Sequence, residues 1–428
     1  MFDVLVLGGG AAGFYAAIHI VESDPGLKVA ILERGKEVLA KVKISGGGRC
    51  NVTHAKFDPH ELSKNYPRGE KELLGPFHKY ASGDTMSFFE ERGVPLKIEE
   101  DGRMFPATDS SQTIIDCLLG ETDRLGIKVL RNSSVTNISR MPDGDNNKDG
   151  TWNVQTLRGT YSTGKLLVAT GSNPKIWGLL KGMGHTIVPP VPSLFTFNIK
   201  DDRITGIPGL STRARISIAP NSNHIGRFNA ALRKYSVSRS DLETEGPLLI
   251  THWGMSGPGI LRLSAWGALL LNELNYRFVI NVNWLPDFHE RAVMEQLQQV
   301  REVEGKKTVL RTKCFDLPKR LWISLVKASH IGEGDKWAEV SRAQLQDLAQ
   351  VLTASRFQVN GKSTFKEEFV TAGGVDLREI DFKSYKSKIL PDLYFAGEVM
   401  NIDAITGGFN FQNAWTGAFI AARAITKK

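Results

Sequence analysis

Residues 2–13 read FDVLVLGGGAAG, an apolar and β-branched run that ends in closely spaced glycines. Gly8, Gly10 and Gly13 form the pattern G-x-G-x-x-G directly after a predicted strand and at the start of a predicted helix. In such a turn the first glycine permits the tight bend, the second lets a pyrophosphate approach the backbone, and the third allows the helix to pack closely on the strand. The stretch therefore predicts a nucleotide-binding strand–turn–helix unit.

A second predicted strand, residues 28–32, follows the helix and ends at Glu33. A carboxylate at this place can bind the hydroxyl groups of a ribose. The glycine pattern alone is a weak signal, because a glycine-rich turn in another α/β protein would also show it. Strand, turn, helix, second strand and acid in this order make a dinucleotide site the favoured interpretation.

The C-terminal end carries a second strand–helix unit. A predicted strand runs into Gly397 and Glu398, and Gly407-Gly408 then opens a long predicted helix, residues 410–425. Alone, this could be an ordinary strand–helix pair, but the N-terminal pattern favours a shared site. The arrangement resembles flavoproteins of the glutathione-reductase type, in which an acid after the strand binds the ribitol chain and the positive end of the helix faces the flavin. Those proteins have Asp where this chain has Glu398.

Between the two ends the character of the sequence changes. A cluster of prolines at 189–192 marks a boundary, since proline interrupts regular structure. Short alternating stretches then predict a β-rich, barrel-like region, and a mostly helical region follows it. The sequence thus predicts an α/β fold with a Rossmann-like FAD-binding domain (1–190 and 358–428), an inserted β-rich domain (191–285) and an inserted helical subdomain (286–357).

The amino-acid composition indicates a globular protein. The chain has 428 residues, of which 41% are hydrophobic and 23% charged, as is typical of a globular protein of two or three domains. It has no apolar run of membrane-spanning length, and its N-terminus does not resemble a signal peptide, so we expect a cytoplasmic protein. Three scattered cysteines argue against a disulfide framework, and the nine histidines show no zinc pattern, so no metal site is predicted.

The charge distribution favours an anionic partner. The net charge is +8. Seven basic residues and no acidic one lie between Arg203 and Ser240, and a second basic stretch runs from Lys306 to Arg320. A mild basic excess often means only a solvated surface, but this asymmetry raises the expectation of a polyanionic partner.

Five segments together resemble one family: GGGAAG (8–13), ISGGGRCNVT (44–53), THWGMSGPGIL (251–261), VTAGGV (370–375) and AGEVMNIDAITGGFNFQNAW (396–415). Over essentially the full chain the sequence is similar to the BaiN/RdsA family of NAD(P)/FAD-dependent oxidoreductases. The resemblance implies an FAD domain with a barrel-like and helical insertion. Members are associated with the reduction of unsaturated rings or enones, some of them making dihydrouridine in large-subunit ribosomal RNA and others acting on bile acids.

The resemblance also implies a set of FAD contacts. Carried over position by position, they fall on Ala12, Glu33, Arg34, Lys41, Ser45, Gly46, Asn51, Val135, Glu398, Gly408, Phe409 and Asn410. The glycine turns add Gly8, Gly10, Gly13 and Gly397, and the predicted strand KLLVATG (165–171), which resembles the return strand of the same superfamily, adds Gly171.

Two residues are candidates for catalysis. Cys50 lies in the loop after the second strand, where related reductases place redox cysteines near the flavin. As a single thiol it cannot cycle a disulfide, but it could protonate the substrate carbon next to the one that receives hydride. A free cysteine is more commonly a small buried side chain. His252, like Ser256, could contact substrate from a glycine-rich loop, although a histidine satisfied within the insertion is the commoner case.

These observations favour a flavin-dependent reductase of an electron-poor carbon–carbon double bond. Only one G-x-G-x-x-G is present, so NADH or NADPH is expected as a transient donor. The favoured substrate is uridine in ribosomal RNA, bound through the basic insertion. The alternatives are a reductase of small enones or steroid-like substrates, an oxidase or monooxygenase, and a flavin-bound RNA-associated protein without turnover.

Overall fold

The structure, a computed structural model, describes residues 1–141, 150–221, 225–363 and 370–427. The chain divides into two compact units. The terminal unit consists of residues 1–191 and 366–428, and the inserted unit consists of residues 192–365. Within the described part of the chain, no helix is both long and apolar enough to cross a membrane.

The elements alternate along the chain. The strands are β1 (Phe2–Leu7), β2 (Val29–Leu32), β3 (Thr53–His54), β4 (Leu96–Ile98), β5 (Arg103–Pro106), β6 (Lys128–Leu130), β7 (Val135–Met141), β8 (Thr151–Thr156), β9 (Gly159–Val168), β10 (Ile187–Pro192), β11 (Thr196–Asn198), β12 (Ser211–Ala219), β13 (Glu243–Thr251), β14 (Gly254–Ser256), β15 (Arg277–Asn283), β16 (Ser355–Asn360), β17 (Lys362–Ser363), β18 (Thr371–Val375), β19 (Ile380–Asp381), β20 (Lys386–Ser387) and β21 (Leu393–Phe395). The helices are α1 (Ala11–Ser23), α2 (Ala40–Gly48), α3 (Pro59–Ser63), α4 (Glu70–Phe77), α5 (Ser82–Glu90), α6 (Ser111–Arg124), α7 (Pro174–Gly182), α8 (Ile225–Lys234), α9 (Pro258–Trp266), α10 (Ala268–Glu273), α11 (Glu290–Val303), α12 (Lys319–Ala328), α13 (Arg342–Thr353) and α14 (Phe409–Thr426).

The terminal unit is built on a nine-stranded mixed sheet with the order β19-β20-β21-β9-β1-β2-β6, which β7 and β8 extend from β9. The pairs β21–β9, β9–β1, β1–β2 and β2–β6 are parallel. Central parallel strands are covered on both faces and need continuous apolar runs, and residues 4–7 of β1 are fully buried. Because β21 pairs with β9, the last strand of the chain ends at the same edge of the sheet as the first.

Helices α1 and α14 pack against each other in the terminal unit. The rings of Tyr15 and Trp415 lie 4.8 Å apart, and both side chains are fully buried. On α14, a Cβ at Gly417 would come within 2.9 Å of the Tyr385 ring, so this position must stay small. Twelve of the eighteen residues of α14 are buried, which makes the C-terminal helix part of the core.

The inserted unit contains a seven-stranded sheet with the order β16-β15-β12-β13-β14-β11-β17, whose neighbouring strands are antiparallel. Alternating side chains of its strands are buried, as in β16, where every second residue faces the core. One hydrophobic core extends from Phe195 to Val359 and includes side chains from both the sheet and the helices.

Two domain boundaries in the structure differ from those that we expected from the sequence. The inserted unit ends near residue 365 and not at 357, because β16 pairs with β15 over six residue pairs and so belongs to the inserted sheet. The regions 191–285 and 286–357 also share one core and form one compact unit. The region expected to be β-rich further contains α8, α9 and α10.

A chain that ends at Gly408 lacks α14, and we expect the terminal unit to lose its cooperative thermal transition. The helix buries four large apolar side chains, Phe409, Trp415, Ile420 and Ile425, each contributing roughly 1.5–3 kcal/mol. The sum of roughly 6–12 kcal/mol is comparable with the whole stability of a typical domain, about 5–15 kcal/mol. Circular dichroism against temperature measures the effect, and a chain that ends at Thr426 is the matched control. An unchanged transition in the shorter chain would contradict the two-ended core.

Candidate dinucleotide-binding site

The three glycines of the first turn have different local surroundings. Gly8 has a φ of +112°, and a Cβ there would lie 2.4 Å from the carbonyl oxygen of Ala169. A Cβ at Gly13 would lie 1.9 Å from the carbonyl oxygen of Gly8, whereas one at Gly10 would meet nothing within 4 Å. The fold therefore requires glycine at 8 and 13, while Gly10 leaves open space at the positive end of α1, where a pyrophosphate can approach the backbone.

Glu33 lies directly after β2 and holds the turn in place. Its Oε2 accepts a hydrogen bond from the backbone N–H of Gly9 (2.9 Å), and its Oε1 accepts one from that of Gly35 (2.7 Å). A carboxylate has about four lone-pair sites, so each oxygen can still accept a hydrogen bond from a hydroxyl group. Glu33 thus combines a structural role with the capacity to bind a ribose.

A pocket of about 110 Å³ lies at the carboxyl ends of β1 and β2, the edge at which open α/β sheets bind nucleotides. It brings together four residues expected from the sequence: Gly8, Glu33, Arg34 and Val135. Five of its polar or charged residues were not foreseen: Ser133, Ser134, Thr170, Asn173 and Lys175. They lie in the segments that follow β6 and β9.

The structure also brings together residues from the two ends of the chain. Lys41 donates a hydrogen bond from Nζ to Oε2 of Glu398 at 2.5 Å. A Cβ at Gly171 would lie 3.6 Å from the same carboxylate oxygen, and one at Gly397 would lie 3.4 Å from the Cβ of Ala12. These five residues therefore lie close together at the start of α1.

The glycine-rich loop presents backbone rather than side chains. α2 is interrupted from Ser45 to Gly47, and Gly46, Gly47 and Gly48 all have positive φ angles. Additional Cβ atoms at Gly47 and Gly48 would meet nothing within 4 Å. The hydroxyl of Ser45 donates to the Val42 carbonyl (2.9 Å). The open part of the loop is consequently main chain, to which a ligand can come close.

Residues 51–53 are attached to the start of α14. With its amide oriented to satisfy both ends, Asn51 accepts from the N–H of Gly408 at 2.9 Å and donates to the carbonyl of Thr53 at 3.0 Å. Gly408 has a φ of +91°, and a Cβ there would lie 2.6 Å from the same carbonyl oxygen. The indole N–H of Trp415 donates to the Val52 carbonyl (2.9 Å). The glycine loop and the C-terminal helix are therefore held as one piece.

Phe409 and Asn410 hold the loop before α14. The Asn410 side chain accepts from the N–H of Ala404 (3.0 Å) and donates to the carbonyl of the same residue (3.2 Å). The ring of Phe409 stacks on that of His54, with centroids 4.6 Å apart. Since both side chains have these partners, the feature that α14 offers a ligand is its positive N-terminal end.

Sequence reasoning missed the ion pair that anchors this loop. Arg68 donates from Nε to Oδ1 of Asp403 at 2.5 Å, and the Asp403 side chain is fully buried. The hydroxyl of Tyr66 donates to the Phe409 carbonyl (2.6 Å). Nothing in the local sequence marks these partners, because they lie more than 300 residues apart along the chain.

Cys50 lies beneath the glycine loop. It is fully buried, with a φ of +60°, and its backbone N–H donates to the Ser45 carbonyl (2.9 Å). Burial raises the pKa of the thiol to about 12, although a hydrogen bond with Ser45 opposes the shift. The side chain is therefore a neutral thiol at physiological pH.

His252 belongs to the inserted unit, where it lies at the tip of the hairpin between β13 and β14 and is exposed. A Cβ at the neighbouring Gly254 would lie 2.2 Å from the Phe197 carbonyl oxygen, so the hairpin is held tightly. The hydroxyl of Ser256 accepts from that of Thr196 (3.0 Å). The imidazole of His252 thus lies on the surface of the unit and not within its core.

Replacing Gly10 with Val should remove a bound dinucleotide without unfolding the chain. The new side chain fills the open space at the start of α1 but meets no protein atom within 4 Å at its Cβ. Cofactor content after gel filtration and the thermal transition of the stripped protein measure the two effects. Gly120→Val, at an exposed position of α6 that is equally open, is the matched control. Normal cofactor content in Gly10→Val would refute the assignment of this turn.

The sequence of the chain is similar to those of known proteins over nearly its whole length. A family model described as the HI0933-like protein Rossmann domain matches residues 2–424. The chain is 27% identical to a ribosomal RNA dihydrouridine synthase of Haemophilus influenzae, over 99% of this chain and 98% of the relative. It is 28% identical to a protein of the same description from Escherichia coli, over 99% of this chain and 97% of the relative.

A third relative has a different description. The chain is 27% identical to a 3-dehydro-bile acid delta(4,6)-reductase of Clostridium scindens, over 99% of this chain and 98% of the relative. The family match spans nearly the whole chain, and the α/β fold with its Rossmann-type sheet agrees with the expectation from the sequence. The chain therefore belongs to the HI0933-like Rossmann family and is an FAD-dependent oxidoreductase.

Proposed function

We propose that this protein reduces uridine in large-subunit ribosomal RNA to dihydrouridine, with NADH or NADPH as the electron donor. The observation that carries the proposal is the description of two relatives as ribosomal RNA dihydrouridine synthases. Both are matched over nearly their full length, so the similarity includes the inserted unit as well as the nucleotide-binding unit.

Residues of the terminal unit would hold FAD. The amides at the start of α1 would bind the pyrophosphate, and Gly10 leaves the room for it. Glu33 would bind the ribose of the adenosine half, in the pocket that also contains Val135. Glu398, held by Lys41, would face the ribitol chain. The positive end of α14 would stabilise negative charge on the reduced ring.

The chemistry requires a hydride and a proton. When bound and reduced by NADH or NADPH, FAD would supply the hydride, which adds to C6 of the uracil because the C5=C6 bond is conjugated with the C4 carbonyl. A proton must then reach C5, and the neutral thiol of Cys50 is our proposed donor. The product is 5,6-dihydrouridine, and the donor NADH or NADPH is oxidised in the same cycle.

Full burial gives Cys50 a competing role, which is to fill space beneath the glycine loop. A packing residue and a proton donor differ in what their loss changes. Removing a packing thiol destabilises the unit and lowers cofactor content, whereas removing a proton donor slows reduction of the substrate alone. This difference makes the role measurable.

A second candidate function is the reduction of a small conjugated enone. It is favoured by the relative described as a 3-dehydro-bile acid delta(4,6)-reductase, which is matched over 98% of its length. The two substrates share the essential feature of a carbon–carbon double bond conjugated with a carbonyl. They differ in that RNA carries phosphates and an enone of steroid type needs an apolar pocket.

Deleting the gene in its host should remove dihydrouridine from one position of the large-subunit ribosomal RNA. Mapping the modification by mass spectrometry of RNA fragments measures the change, and returning the gene on a plasmid should restore it. An unchanged modification map, together with robust NAD(P)H-dependent reduction of a small enone by the pure protein, would establish the second candidate instead.

The Cys50→Ala variant should lose reduction of RNA uridine by about 10²–10⁴-fold, the usual contribution of a positioned proton donor. Its flavin content and the rate of flavin reduction by NADH or NADPH should equal those of the unchanged protein. Single-turnover reduction of an RNA fragment, with flavin absorbance recorded in parallel, separates the two steps. If flavin content falls together with RNA reduction, Cys50 is a packing residue.

A further inference from the structure

Four of the seven cations of the first basic stretch pair with carboxylates in the fold. Arg213 and Arg215 on β12 both pair with Glu245 of the neighbouring strand β13. Lys234 pairs with Glu273 at 2.7 Å, and Arg203 pairs with Asp201 at 2.8 Å. The excess of positive charge along residues 203–240 is therefore smaller on the surface than in the sequence.

Most cations of the second basic stretch have no carboxylate partner among the described residues. Residues 306–320 contain six cations and one carboxylate, Asp316, which gives a net charge of +5. Two of the cations have carboxylate partners within the described part of the chain: Lys307 pairs with Glu304 and Lys313 with Asp316. The remaining four, which are Lys306, Arg311, Lys319 and Arg320, are exposed, and among the described residues they form no ion pair with a carboxylate.

The segment 306–320 contains little regular structure but is anchored by hydrogen bonds and buried side chains. The indole N–H of Trp322 donates to the Val309 carbonyl (3.2 Å), and that of Trp337 donates to the hydroxyl of Thr312 (2.9 Å). Val309 is fully buried, and Phe315 and Leu317 are 7% exposed. These anchors hold the backbone of the segment while its cations are exposed, and we call the exposed side of the segment the 306–320 surface.

The start of α12 carries positive charges, which are unfavourable at the N-terminus of a helix. Its first two residues are Lys319 and Arg320, no acidic residue occupies the first turn, and Pro318 supplies no side-chain cap. Cations at the positive end of a helix are unfavourable, and acidic residues are favoured there. Asp335, which lies next to this surface, is used in a turn with the N–H of Gly332. A local arrangement that costs stability without internal compensation is typical of a binding site, here one for an anion.

We propose that the 306–320 surface binds the phosphate backbone of the RNA substrate. The inference rests on the proposed function and names where the inserted unit contacts its polyanion. It assigns the main electrostatic contact to four exposed cations and the positive end of α12, and not to the paired arginines of β12. Each phosphate neutralised contributes about 0.7–0.9 to the slope of log affinity against log salt concentration.

The double variant Lys319→Glu/Arg320→Glu tests the proposal. Acidic residues suit the first turn of a helix, so its thermal transition should stay the same or rise. Its affinity for a transcribed large-subunit RNA fragment should fall about tenfold, and the salt slope should decrease by about 1–2. Flavin content and flavin reduction by NADH or NADPH should be unchanged. Fluorescence anisotropy of labelled RNA at several salt concentrations measures binding separately from reduction.

The matched control is Lys71→Glu/Lys128→Glu, which makes the same change in net charge at two exposed positions of the terminal unit. It should bind RNA nearly as the unchanged protein does. If the unchanged protein binds and reduces RNA and both double variants bind it equally well, the 306–320 surface is refuted while the proposed function stands. If the unchanged protein neither binds nor reduces RNA, the proposed function itself fails. Binding to phosphatidylglycerol vesicles that exceeds RNA binding and is lost in the variant would overturn the RNA assignment in favour of a membrane surface.

Discussion

The attachment of the C-terminal helix to the first helix is the constraint on which the site depends. The pairing of β21 with β9 brings Gly397 close to Ala12. The packing of α14 against α1 is accompanied by the contact of Gly408 with Thr53. The second contact is too close for any residue other than glycine at 408. The positive ends of two helices thereby belong to one rigid unit, although their sequences are almost 400 residues apart.

Several of the expected ligands have internal partners. The amides of Asn51 and Asn410 and the hydroxyl of Ser45 hold loops in place, and the carboxylate of Glu33 supports the first glycine turn. A dinucleotide is recognised largely through backbone N–H groups and helix ends. Side chains near such a ligand therefore act mainly by fixing main-chain geometry, and their place in a motif does not by itself mean direct contact.

The local signals in the sequence were sufficient for the first βαβ unit, because Gly13 and Glu33 act on neighbours within about one supersecondary unit. The α/β fold and the contribution of both termini followed from the same signals. The pair Arg68–Asp403 could not be predicted, since no periodicity links residues so far apart. The end of the insertion was also misplaced, because β16 looks like a strand of either unit until its pairing with β15 is known.

The surface charge of a segment could likewise not be predicted from its own sequence alone. A stretch such as 203–240 contains no acid of its own, yet the antiparallel pairing of β12 with β13 places Glu245 beside Arg213 and Arg215. The stretch at 306–320 is folded around buried tryptophans instead of being paired along a strand, so its cations have fewer carboxylate neighbours. Surface potential is thus decided by which elements are adjacent in space. For a polyanionic substrate, the relevant quantity is the positive charge left after this internal pairing.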